Sequence, residues 1–228
     1  MVRTHRSSGR CHDGPVQVAG SPSWRFEESD GQLLSVALAV RDSCGLPVPG
    51  DLGVPPRLVS PPPSAGELAP GRREEAARQW AVWWADLVDL AARRLAPDRT
   101  AAPGGPAWLA ELEAAGAPPD FTGLADRPEL RSAARATPGV PRAVPDRPGG
   151  PHGTFAYELV RQVAEDVAFD RSVAVDRVTG AAVVLDVEGL WWHEIGTGTL
   201  LCSRAAAEDP RAAHRVLRRA FESGLRRA

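Results

Sequence analysis

Lysine is missing from this chain, and all 27 of its basic residues are arginine. Methionine and tyrosine occur once each. Alanine, arginine, glycine and proline are abundant instead, as in a high-GC bacterial coding sequence, so arginine frequency alone is no mark of a binding patch. The net charge of −2 supplies no global field to gather nucleic acid or an anionic membrane. Cysteine is scarce as well. Cys11, Cys44 and Cys202 are far apart and odd in number, too few for a disulfide framework and without the ligand spacing of a zinc site. They read as reduced thiols, with Cys202 a small apolar residue on a strand. No cofactor or metal motif emerges.

Long apolar runs are also absent. No segment approaches the ~20 residues needed to span a bilayer. The start, Met1 to Pro15, is basic and polar, without the apolar stretch of a secretory signal. A cytoplasmic protein with no membrane partner is the expectation. With 43% hydrophobic and 25% charged residues the chain has the composition of a globular protein with a real core. Residues 1–20 read as a flexible leader and 21–228 as a single α+β domain. Pro/Gly-rich linkers interrupt it at about 47–70 and 137–153.

Order is expected from Trp24. The run Trp24–Glu27 alternates apolar and polar residues, Asp30-Gly31 supplies a tight turn, and Leu33–Val40 reads as a largely buried strand. Together they make a hairpin signal. The prolines from Pro47 to Pro70 remove backbone donors and fix φ, so an extended crossover follows. Arg72–Ala96 is a strong helix: Ala76, Trp80, Trp83, Trp84, Leu87 and Leu90 recur at helical spacing, and Pro97 ends it. Asp89 and Arg93 are placed for a surface ion pair on it. Pro106–Ala115 and Pro128–Ala136 read as shorter helices. A further helix runs from Thr154, a candidate N-cap, to about Phe169.

The last third carries four β-rich runs, Ser172–Val178, Ala181–Val187, Leu190–Ile195 and Thr199–Ser203. Thr179-Gly180, Glu188-Gly189 and Gly196-Thr197-Gly198 separate them, and glycine suits such turns because it reaches positive φ freely. Parallel neighbours need a crossover of a dozen or more residues. Strands linked this closely are therefore expected to form an antiparallel β-meander, which the N-terminal hairpin can extend. Asp209 as N-cap and Pro210 at the first helical position open a final helix. Three main helices are expected to pack on one face of the sheet.

The densest functional cluster is Trp191-Trp192-His193-Glu194. Side chains alternate along a strand, so Trp191 and His193 share one face, while Trp192 and Glu194 share the other. If that second face is open, Trp192 and Glu194 are placed to stack on and hydrogen-bond a planar or sugar-like ligand, with Trp191 on the other face a further binding candidate; if helices cover both faces, the cluster is scaffold. His193 is also the candidate general base of a small hydrolase-like enzyme, with Asp186, Asp176 or Glu194 as its partner. Glu194, as the adjacent residue, points away from it. Gly196-Thr197-Gly198-Thr199 has strands on both sides and no lysine after it, so it reads as a hairpin turn rather than a phosphate loop. Asp86 and Asp89 lack the second acidic motif a metal site needs. From Arg204 onward the chain has seven arginines against Glu208, Asp209 and Glu222. That excess would suit nucleic acid or an acidic surface, but aromatic interleaving is missing. The leading expectation is a non-catalytic accessory or regulatory protein that binds another protein through its tryptophan-bearing surface.

Overall fold

A computed structural model describes residues 23–47, 53–66, 68–96, 106–140 and 153–225. The leader at 1–20, Cys11, and most of the second linker lie outside these residues. The described chain is mixed α and β. It contains strands β1 (Arg25–Ser29), β2 (Thr179–Leu185), β3 (Trp192–Gly196) and β4 (Thr199–Ser203). Its helices are α1 (Gln32–Ser43), α2 (Pro70–Leu95), α3 (Pro106–Ala114), α4 (Pro128–Ala136), α5 (Tyr157–Asp170), α6 (Arg204–Glu208) and α7 (Pro210–Ser223), with single 3-10 turns at Thr122–Leu124 and Val175–Arg177.

The sheet is not an antiparallel meander. Its order is β1-β2-β4-β3; β1 runs parallel to β2 and β2 parallel to β4, and only the β3–β4 hairpin is antiparallel. The meander expectation assumed that consecutive strands are neighbours. Here β2 is followed by β3 on the far edge, and β4 returns through the hairpin into the slot between them. One short return strand thus replaces the long crossover that parallel neighbours otherwise need. The other parallel pair, β1 with β2, is joined by the whole stretch containing α1 to α5.

Two of the expected strands are not strands. Leu33–Val40 lies inside helix α1, and Ser172–Val178 forms a turn and the 3-10 segment before β2. Helix α1 buries Leu33, Leu34, Val36, Ala37, Leu38 and Val40. Burial on nearly all sides erases the polar stripe that reveals a helical period, and a short apolar run then reads equally well as a strand. Gly31 does not turn a hairpin either. With φ +56 it is the residue before α1, and a Cβ there would overlap the side chain of Val183 and come within 2.9 Å of Leu185.

Helices cover both faces of the sheet rather than one. Ala181, Val183 and Leu185 of β2, with Leu201 of β4, enter a core built with α1, α2 and α4. Ala182 and Val184 of β2, with Cys202 of β4, enter a second core with α5, α6 and α7. Every residue of β2 and β4 is buried. Trp80, Trp83 and Trp84 are core residues: Trp80 and Trp84 stack at 5.5 Å, and the indole N–H groups of Trp80 and Trp83 donate to the carbonyls of Ala37 and Ala115, each at 2.7 Å. Asp209 caps α7 by accepting from Ala212 N at 2.8 Å, with Pro210 next to it. Thr154 does not cap α5. The Glu28 carboxylate accepts from Thr154 N at 2.7 and 2.9 Å and from Phe155 N at 3.3 Å, just ahead of that helix.

The proline-rich segment is a strap tied to the end of α1. Prolines cannot donate but keep their carbonyls, and α1 supplies the donors. Arg41 reaches Pro55 O at 2.7 Å and Pro56 O at 2.8 Å, and Ser43 Oγ donates to Pro63 O at 2.6 Å. Asp42 holds Arg41 at 2.7 Å and accepts from Leu58 N at 2.8 Å. Both side chains are buried, 8% and 4% exposed. Leu58 then pairs with Val187, just past β2.

Two outcomes test this account by chemical denaturation. Gly31→Ala forces a left-handed residue against Val183 and should cost about 2–4 kcal/mol. Asp42→Ala strands a buried guanidinium and should cost about 3–5 kcal/mol, whereas the double variant Arg41→Met/Asp42→Leu should recover most of that loss.

Candidate functional site at the edge of the sheet

Strand β3 is the edge next to β4. Residue pairing runs Trp192 to Cys202, His193 to Leu201 and Glu194 to Leu200, with a register shift before Gly196. Gly196 to Gly198 make the hairpin turn, with Gly198 at φ +72. Gly196 sits against α2, where an added Cβ would be 3.2 Å from Ala92.

On the α2 face, the rings of Trp191 and His193 stack loosely, 6.4 Å apart and 19° from parallel. Trp191 packs against the core of that face. A Cβ on Gly53 would overlap the His193 ring, so only glycine lets the start of the strap come this close. On the α7 face, Arg219 holds the Glu194 carboxylate from two nitrogens, at 2.8 and 2.6 Å. Such a half-exposed pair contributes roughly 0.2–1 kcal/mol. Trp192 shares this face and is 39% exposed. Leu190, just before the strand, is exposed too.

The four residues suggested for catalysis are not brought together. Among the described residues no hydrogen bond or ion pair joins His193 to a carboxylate. Glu194 lies on the opposite face with Arg219. Asp186 lies beyond the end of β2, facing Arg204 at 3.7 Å. Across the sheet His193 is level with Val183, which places Asp186 about two strand spacings sideways and three residues along, roughly 10 Å in each direction. Asp176 is at the other end of β2, in the 3-10 turn that precedes it. Among the described residues no group of three His, Cys, Asp or Glu side chains is placed to hold a metal ion.

Part of the arginine-rich end is held in ion pairs. Arg218 meets Asp170 at 2.8 Å and Glu222 at 3.1 Å. Arg219 meets Glu194. Arg211 and Arg215 sit on the exposed side of α7, and Arg226 and Arg227 lie outside the described residues. On α2, Asp86 pairs with Arg127 of the segment before α4 at 2.6 Å; among the described residues no ion pair joins Asp89 to Arg93.

A second polar group, unforeseen in the sequence, gathers where the parallel strands end. Arg204 after β4 faces Asp186 after β2 and also reaches Thr154 Oγ1 at 3.4 Å, and Thr154 N in turn donates to Glu28 of β1. Nothing in the local pattern around these residues indicates this. It follows from the parallel register, which sets Leu185 of β2 level with Ser203 of β4 so that Asp186 and Arg204 leave the sheet side by side, whereas β1 ends earlier, level with Val183. The strap crosses the same end, with Val59 N donating to Asp186 O at 3.0 Å.

Compared with known proteins, the chain matches no family model, no curated protein and no solved structure. Among the described residues no helix is long and apolar enough to cross a membrane.

Neither described cysteine is a reactive centre. Cys44 and Cys202 are free and buried. Burial, then the Glu28 carboxylate, pushes the Cys202 thiol up to about 12 from an ordinary 9.0. The folded state therefore keeps its proton longer than the unfolded one. The stability this contributes is complete below pH 9.0 and is lost as pH rises toward 12. Urea midpoints should fall more steeply across that window in the wild type than in Cys202→Ala, and Cys44 and Cys202 of the native protein should resist iodoacetamide at pH 8 until it is unfolded, as read by mass spectrometry of their peptides.

Proposed function

We propose that this chain is a non-catalytic accessory or regulatory protein that binds another protein through the Trp192-bearing edge of its sheet. The observation that carries the reading is Trp192 itself. Both faces of the sheet are covered by helices, yet this large aromatic is left 39% exposed on the edge strand, with exposed Leu190 close by in the chain. Exposed Trp at an edge supplies the apolar area and the polar N–H that interface anchors use. Its charged neighbour Glu194 is already paired with Arg219, so a partner arriving there need not desolvate a lone charge. The two described cysteines, both free thiols, suit a reducing compartment such as the cytoplasm.

Affinity capture from a native lysate, run side by side with wild type and Trp192→Ala, tests this. The wild type should retain a specific partner that the variant loses, with affinity falling about 30-fold, the size of a hot-spot truncation. The thermal midpoint of Trp192→Ala should stay close to that of the wild type, because the side chain is outside both cores. Equal recovery by the two proteins overturns the reading.

A further inference from the structure

The hydrogen bonding of β3 says how a partner would be held, and this step rests on the reading of Trp192 as a docking residue. Ser203 N donates to Trp191 O at 2.8 Å, and Trp191 N donates to Ser203 Oγ at 3.1 Å. Trp191 and Ser203 are therefore a pair whose main-chain groups face each other across the ladder. Antiparallel ladders alternate such pairs with pairs that do not bond. His193 with Leu201 is then the next bonded pair, and Trp192 with Cys202 and Glu194 with Leu200 are the non-bonded ones. The N–H and C=O of Trp192 and Glu194 consequently point away from β4, along the open edge. Their spacing of two residues is the repeat that an added strand requires. Among the described residues no strand pairs with that side of β3. The register shift after Glu194 breaks this alternation before the ladder resumes at Gly196 and Thr199, which limits the regular open window to Trp192–Glu194.

We propose that the partner is held as an extended segment of another protein, added antiparallel to β3 as a fifth strand. Antiparallel addition lets Trp192 and Glu194 each exchange two main-chain hydrogen bonds with it, four in all, and is the more stable pairing per residue. Side chains alternate in register, so the partner residue opposite Trp192 lies beside the indole and is apolar or aromatic. The residue opposite Glu194 precedes it by two positions and is polar or basic, because an acidic one would face a carboxylate. The segment that fits thus reads polar or basic, any residue, apolar. The intervening residue projects toward His193. A window this short selects a linear motif and a transient complex rather than an obligate one.

The probe is a displayed library of linear twelve-residue peptides, selected against the full chain, followed by residue-resolved amide exchange with the enriched peptide. In the protein alone the amides of Trp192 and Glu194 should exchange fast and that of His193 slowly. The enriched peptide should carry the pattern above and slow Trp192 and Glu194 by about tenfold or more, leaving His193 unchanged. Glu194→Pro deletes one outward N–H and no bond to β4, whereas Glu194→Ala loses the same ion pair but keeps the N–H. The alanine variant should bind the peptide at least about fivefold more tightly than the proline variant, the worth of an edge hydrogen bond. Exchange of the β2 and β4 amides reports whether the proline variant is folded; if it is not, the wild-type exchange pattern decides. Equal binding by the two variants, no enrichment, or a footprint away from these amides overturns strand addition. If Trp192→Ala abolishes binding while Glu194→Pro matches Glu194→Ala, the tryptophan surface stands and the strand does not. If neither variant weakens binding, both readings fail. Slowing of the two amides by raised protein concentration alone would assign the edge to a second copy of this chain and overturn the proposal.

Discussion

Strand β2 is the constraint on which the remaining structure depends. Its seven residues are all buried, with alternate side chains feeding two separate cores. A strand buried on both faces must have helices on both sides and neighbours at both edges. The side chains are graded to what lies above them. Gly180 lies under α7, where a Cβ would stand only 3.1 Å from the Phe221 ring, whereas Val183 and Leu185 fill the space in front of α1. The two helical layers, the position of Gly31 and the parallel partners all follow from that single element.

The strap shows how a segment rich in proline is fixed without secondary structure. Its carbonyls would be unsatisfied against the protein surface, because few of its own residues can donate. The end of α1 resolves this with Arg41, Ser43 and the Asp42 carboxylate, placing donors where the strap has only acceptors, and an acceptor where Leu58 has a free N–H. Taking a guanidinium and a carboxylate out of water costs several kcal/mol each, and the close pair with its extra hydrogen bonds offsets it. The strap in turn joins Leu58 to Val187 and positions Gly53 against His193, so the far end of the molecule shapes the surroundings of the edge strand.

The geometry around β3 separates two ideas that adjacent residues in the sequence suggest at once. A catalytic histidine needs a second group to orient it, and the sheet order sends each candidate carboxylate elsewhere. The proposed docking edge asks only for open main-chain groups and an apolar side chain in reach, and among the described residues β3 is the outermost strand beside β4 and carries the exposed Trp192. Two of the four arginines on α7, Arg218 and Arg219, are likewise drawn into local contacts with Asp170, Glu222 and Glu194, while Arg211 and Arg215 stay exposed.

Local chemistry was readable from the residues alone. The helices α2, α3 and α4, the Asp209-Pro210 start of α7, strand β4, and the Gly196–Gly198 turn each depend on spacing, caps and turn residues a few positions apart. The burial of Trp80, Trp83 and Trp84 followed from helical period in the same way. What required the tertiary structure was everything set by contacts between distant residues. Leu33–Val40 is helical because its surroundings bury it on nearly all sides, which removes the polar stripe that would have announced it. The Arg41–Asp42 pair and the Glu28 bonds to Thr154 join positions that no local pattern connects. The parallel order of β1, β2 and β4 was decided by inserting β4 between β2 and β3, since a turn fixes which strands are linked but not which strands lie side by side.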